Sequence, residues 1–184
     1  MITRLHLAQA AILAAVVLLV GACQPPDSSK TSAAVTTTTV PSVPMAFDPC
    51  TDIPQSVLDS LQWTSKDSAK NASGDIEWRG CSWVKSTEYG AVVYMTNATV
   101  GAVRAQNFLY AQGFVVDGRR AISTIQDPDH QSQQCTVDVA VKGGSLEIFL
   151  TNPEASDTPG STDSSCRIAR DAAQQIVPLL PQGL

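Results

Sequence analysis

Residues 136–150 read TVDVAVKGGSLEIFL. Val137, Val139 and Val141 alternate with other side chains, which puts all three on one side of an extended strand. Lys142-Gly143-Gly144 supplies turn chemistry, and residues 146–150 return as a second, apolar strand. Strands joined by so few residues are antiparallel, because a parallel return needs a crossover of roughly a dozen residues or more. This hairpin decides the fold class.

Upstream, residues 114–116, Asp117-Gly118 and residues 119–125 read as another hairpin with a tight turn. Before it, Thr99 is placed as the N-cap of a helix running to Gln112, with Gly113 as the residue that ends it. Val100, Val103, Phe108 and Ala111 give that helix an imperfect apolar stripe. Residues 76–84, entered through Gly74 and Asp75, and residues 91–96 read as two strands around a turn at 85–90. Asp52 and Pro54 open a short helix with Val57, Leu58 and Leu61 on one face. Downstream, residues 152–162 form a Pro/Gly/Ser/Thr loop. A last helix follows over residues 164–177, stopped by Pro178. Its expected buried face is Ile168 or Ala169, Ala172, Ile176 and Val177. The order α-β-β-α-hairpin-hairpin-α predicts an α+β fold, an antiparallel sheet with helices packed on one face, rather than a doubly wound sheet.

The chain has 184 residues and a net charge of −5. That charge excludes a nucleic-acid partner, which needs a basic patch to displace counterions. It also speaks against a polybasic membrane-surface protein. Five cysteines are an odd count, so one needs a separate role.

The N-terminus supplies it. Arg4 precedes an uncharged run of 13 residues, Ala10 to Ala22. As a helix this run spans only about 20 Å, short of a bilayer core, and reads as the apolar part of a signal peptide over residues 1–22. It ends Val20-Gly21-Ala22-Cys23, which looks like a lipobox. Cys23 is then the lipidation site and the first residue of the mature chain, with acyl chains holding it to the membrane on the extracytoplasmic face. Of the 23 residues 24–46, 13 are Pro, Ser or Thr. No hydrophobic period exists there, so residues 23–46 read as the lipidated cysteine and a disordered tether, reaching about 26 Å. Residues 47–184 are expected to form one domain. It carries ten Lys+Arg against sixteen Asp+Glu, a net −6.

Cys50, Cys81, Cys135 and Cys166 remain. In an exported domain an even set reads as disulfides. Four cysteines permit three connectivities, and two equal separations of 31 favour Cys50–Cys81 with Cys135–Cys166. No CxxC or nearby histidine supports a metal site or a redox thiol.

Catalytic chemistry finds little support. His130, in Asp127-Pro128-Asp129-His130, would have to serve any triad or metal cluster with Asp127 and Asp129, and a solvated turn is the stronger reading. Asp75 and Glu77, two apart, are the candidate carboxylate pair for a hydrolase, and surface charge is the stronger reading there too. Phosphate-binding and nucleophile-elbow motifs are absent from the sequence. No catalytic residue, metal or cofactor is expected. Trp78 and Trp83, five apart, face opposite sides of a strand. Both are expected to be buried, one under a helix and one by the disulfide; the other arrangement leaves one as a binding patch. Asn71 and Asn97 head N-glycosylation patterns, and Thr99 of the second is better spent as a helix cap.

A lipobox, a Thr/Pro-rich tether, Asp48-Pro49-Cys50, Gly80-Cys81-Ser82-Trp83, Ala105-Gln106-Asn107-Phe108-Leu109, Cys135 and Cys166 occur in this order. The arrangement resembles a family of actinobacterial, chiefly mycobacterial, lipoproteins that includes LprB and LprC, whose shared domain has no known function. The resemblance implies a cell-envelope lipoprotein and transfers no catalytic residue. By analogy, the element order is compatible with a fold like the Mog1/PsbP group. The expected function is therefore non-enzymatic: a membrane-anchored module that binds an envelope protein, a glycan or a small ligand. The alternatives are a carrier of a lipid or other apolar ligand, and a carboxylate-based hydrolase. The carrier requires a large apolar cavity, and the hydrolase a cleft with a strongly raised carboxyl pKa.

Overall fold

The computed structural model describes residues 41–86, 88–129, 131–152 and 163–184. Cys23, the expected signal peptide at 1–22 and all but the first residue of the expected loop at 152–162 lie outside these residues, as does His130. The element order is α1 (Pro49–Asp52), α2 (Gln55–Leu61), β1 (Thr64–Ser73), β2 (Ile76–Lys85), β3 (Tyr89–Thr96), α3 (Val100–Ala105), β4 (Gln112–Val116), β5 (Arg119–Thr124), β6 (Gln134–Val141), β7 (Gly144–Thr151) and α4 (Asp163–Ile176), with a closing 3-10 turn at Val177–Leu179. The seven strands form one antiparallel sheet in the order β1-β2-β3-β7-β6-β5-β4. The fold is α+β.

The β6–β7 hairpin turns through Lys142-Gly143, with Gly143 at φ 86°, and pairs Val141 with Gly144. Val137 then faces Ile148, and Val139 faces Leu146. These four and Val93 of β3 are 0% exposed. Against this face lies α4, whose Ala169, Ala172, Ala173 and Ile176 are also 0% exposed. Alanines at i, i+3 and i+4 let a helix settle close on a sheet. Both short N-terminal helices cover the same core, through Leu58 and Leu61 and through the disulfide at Cys50. Trp63 stacks on Trp83 there at 5.6 Å.

Two disulfides staple helices to strands. Cys50–Cys81 joins α1 to the middle of β2, and Cys135–Cys166 joins the start of β6 to α4. Asp48 accepts from the Cys50 N–H and so caps α1, which explains the Asp-Pro-Cys run as cap, first helical residue and staple.

Four expectations change. β1, TSKDSAKNAS, has no counterpart among the expected elements. It is an edge strand exposed along nearly its whole length, so no apolar alternation announces it, and its Lys66 donates to the Cys50 carbonyl. The Thr99 helix has the expected cap but ends at Ala105 instead of Gln112. Asn107 and Tyr110 adopt left-handed φ of 52° and 61°, which break the helix, and Gly113 lies within β4 instead of ending it. That short α3 sits on the sheet face opposite α4. The link from β3 must cross β7, β6 and β5 to reach the far edge at β4, a distance of roughly 19 Å. Finally, the folded chain includes residues 41–46. Val43 is 4% exposed within the main core, and Asn97 donates to the Pro41 and Asp75 carbonyls while accepting from Glu77 N–H.

Gly80 of β2 has no room for a side chain. A Cβ there would fall 1.8 Å from the Val93 carbonyl oxygen of the neighbouring strand. Gly80→Ala is therefore expected to part the β2–β3 ladder and lower stability by about 3 kcal/mol or more, read from urea unfolding midpoints.

Candidate functional site

The β6–β7 register that buries Val137 and Ile148 on one face sets Asp138 directly opposite Glu147 on the other. On the far side of β7, Tyr94 of β3 pairs with the same glutamate, and Thr96 pairs with Ser145. Trp78 of β2 pairs with Thr96, and its indole reaches across β3 to donate to Glu147 Oε2 at 2.7 Å. One face of the sheet thus gathers Trp78, Tyr94, Asp138, Ser145 and Glu147.

Two carboxylates directly opposed across a ladder repel each other when both are ionised. Burial makes this worse, since it removes the water that would solvate either charge. Asp138 is 1% exposed. Its pKa is pushed up to about 8, first by burial and then by the charge of Glu147, with the Ser145 contact opposing. Burial also raises Glu147, with the Trp78 N–H opposing. Tyr94 is raised by burial and by Glu147.

Ser145 Oγ lies 2.8 Å from the Ala98 carbonyl and 3.0 Å from Asp138 Oδ1, and its hydroxyl donates to these two acceptors. Ser145 thereby ties the start of the crossing segment to the sheet beside Asp138. The buried carboxyl is structural in this position: it is too deep to meet a substrate. Glu147, Tyr94, Val92, Phe149 and Trp78 are half-buried and line the part of this face that α3 leaves open. Aromatic rings with a carboxylate among them suit non-covalent recognition.

The sequence-derived candidates are dispersed. Cys50, Cys81, Cys135 and Cys166 are consumed by the two disulfides. Asp75 sits in the β1–β2 turn, and Glu77 pairs with Arg79 at 2.8 Å on the surface, so they form no acid–base pair. Asp127 accepts from the Asp129 N–H in a local turn. Among the described residues no group of three His, Cys, Asp or Glu side chains is placed to hold a metal ion. Asn97 is spent on backbone contacts. The tryptophans do separate: Trp83 is in the core, while Trp78, expected to be buried, is half-buried on the opposite face. Asp138 and Glu147 escape a reading by alternation because polar residues between apolar ones are assigned to solvent. The available signal was turn length. A two-residue turn at Lys142-Gly143 sets these two acids opposite each other.

A family described as "Protein of unknown function (DUF3558)" matches residues 18–179. No curated protein and no solved structure matches the chain.

The acid pair makes stability depend on pH. The folded chain keeps the Asp138 proton up to about pH 8, whereas an unfolded chain releases it near 3.8. Between these values the folded state binds more protons, so stability falls as pH rises and levels off above about 8. Asp138 contributes at most one proton to this slope, about 1.4 kcal/mol per pH unit, and Glu147, also raised, adds to it. Asp138→Asn is expected to remove the Asp138 share and to gain relative to wild type on the alkaline side, measured by urea unfolding across this window.

Proposed function

The chain belongs to the DUF3558 family, whose function is unknown, and from that premise we propose that it is a lipid-anchored cell-envelope protein that works by non-covalent binding. The Val20-Gly21-Ala22-Cys23 run supports acylation at Cys23, and the uncharged run before it supports export. The resemblance to the mycobacterial LprB/LprC lipoproteins points the same way. Among the described residues no helix is long and apolar enough to cross a membrane, and an acyl anchor needs none.

The observation that carries the binding reading is the half-open sheet face of Trp78, Val92, Tyr94, Glu147 and Phe149. A domain that only filled space would cover such a strip of aromatic and apolar side chains. Buried Asp138 favours binding over hydrolysis, since the protonated carboxyl is out of a substrate's reach. Alanines packed between α4 and the sheet favour a surface site over an internal carrier site. The partner is an envelope protein, a glycan or a small ligand.

Two measurements test this. Cys23→Ala should shift the protein out of the membrane fraction or leave it at precursor mass; unchanged fractionation and mass would count against the anchor. Photo-crosslinkers at Val92 and at Phe149 in cells should capture the same partner, and one at exposed Asp59 on α2 should not. Equal capture from all three positions would count against the binding face.

A further inference from the structure

Among the described residues, five large apolar side chains are well exposed, and three cluster in the chain from α3 to β4: Leu109 at 59%, Tyr110 at 51% and Val115 at 66%. The arginines add a second pattern. Arg79 and Arg167 pair with acids, Arg119 donates to the Leu184 and Pro181 carbonyls, and Arg170 donates to Gln112 and Ser123. Among the described residues, Arg104 and Arg120 alone of the arginines have no acceptor.

Both lie at the same corner. Arg120 pairs directly with Val115 across the β4–β5 ladder, so the two side chains share a face. Gly113 points to that face too, and a Cβ on it would meet the Arg104 guanidinium at 3.0 Å. Leu109 and Tyr110 lie in the link that enters this strand. Residues 89–116 contain no Asp or Glu, and the next residue, Asp117, is an exposed acid in the β4–β5 turn. Two guanidinium groups without an acceptor beside exposed apolar side chains fit the interface of an anionic bilayer.

We propose that this corner rests on an anionic lipid surface, with Leu109, Tyr110 and Val115 at the headgroup boundary and Arg104 and Arg120 on lipid phosphates. The proposal rests on the anchor at Cys23. Seventeen residues separate Cys23 from Pro41, where the described chain begins. They can reach at most about 60 Å, against a domain roughly 37 Å across. A domain on so short a leash meets the lipid surface repeatedly, and one face can settle there.

The test uses full-length protein purified from membranes, with acylation first read from intact mass. It is reconstituted into vesicles of phosphatidylglycerol and phosphatidylcholine, into phosphatidylcholine alone, and into detergent micelles. Amide hydrogen exchange over residues 106–116 is compared. Exchange there should slow on the anionic vesicles only, and recover in high salt. Each arginine favours the anionic surface by about fivefold, so Arg104→Gln with Arg120→Gln should cut the protection up to roughly thirtyfold. The variant should still float with the vesicles, and unchanged exchange across β6 and β7 reports that it folds. Acylated protein that floats yet exchanges equally in all three settings overturns the lipid contact and leaves the anchor standing. Slowing that grows with protein concentration in micelles points to a second copy of the chain and also overturns it. A mass without acyl groups overturns the anchor and the proposal with it.

Discussion

The structure depends on the register of one hairpin. With Lys142-Gly143 as the turn, Val141 meets Gly144, and every later pair on β6 and β7 follows. A one-residue slip would exchange the two faces. Val137, Val139, Leu146 and Ile148 would leave the core, and Asp138 and Glu147 would enter it. The cost of burying two carboxylates against α4 exceeds anything the slip could recover. The register is thus enforced from both sides of the sheet. On one side apolar side chains are removed from water; on the other Asp138 accepts from Ser145, and Glu147 accepts from Trp78.

That second side gives the sheet its asymmetry. Helices α1, α2 and α4 fill one face with aliphatic and tryptophan packing. The other face is only partly covered, by the α3 crossing that the strand order requires. Beneath the crossing Ser145 bonds the Ala98 carbonyl and Asp138, where each hydrogen bond is strengthened by the low local dielectric. Beyond it lie the half-buried rings that form the candidate recognition surface. Covered and open regions are therefore consequences of the topology, since the crossing leaves from β3 and cannot cover β1 and β2.

Much of this was legible in the residues. The hairpin at 136–150 stood out because valine at every second position is the pattern of a strand with one buried face. Thr99 was recognisable as a cap, and the last helix by its alanine and isoleucine spacing. The cysteine pairing followed from equal separations. β1 was not legible because a strand exposed on both faces has no period to detect. The length of α3 was not, because its break depends on left-handed residues at Asn107 and Tyr110 rather than on glycine or proline. The acid pair was missed because alternation assigns a face but not what covers it. Only the route from β3 to β4 tells that Asp138 is roofed over.

The strand order divides the chain into two meanders, β1-β2-β3 and β4-β5-β6-β7, which meet along the β3–β7 seam alone. Within each meander, strands consecutive in sequence lie side by side. The seam joins residues 49 to 61 positions apart, so of the sheet's pairings it carries the largest loop-closure entropy. Each disulfide closes a 31-residue separation inside or beside a single meander. Neither spans the seam. Oxidation can therefore finish in each half before the halves dock, and correct pairing needs no knowledge of the final topology. This separates the chemistry of pairing cysteines from the search for the fold.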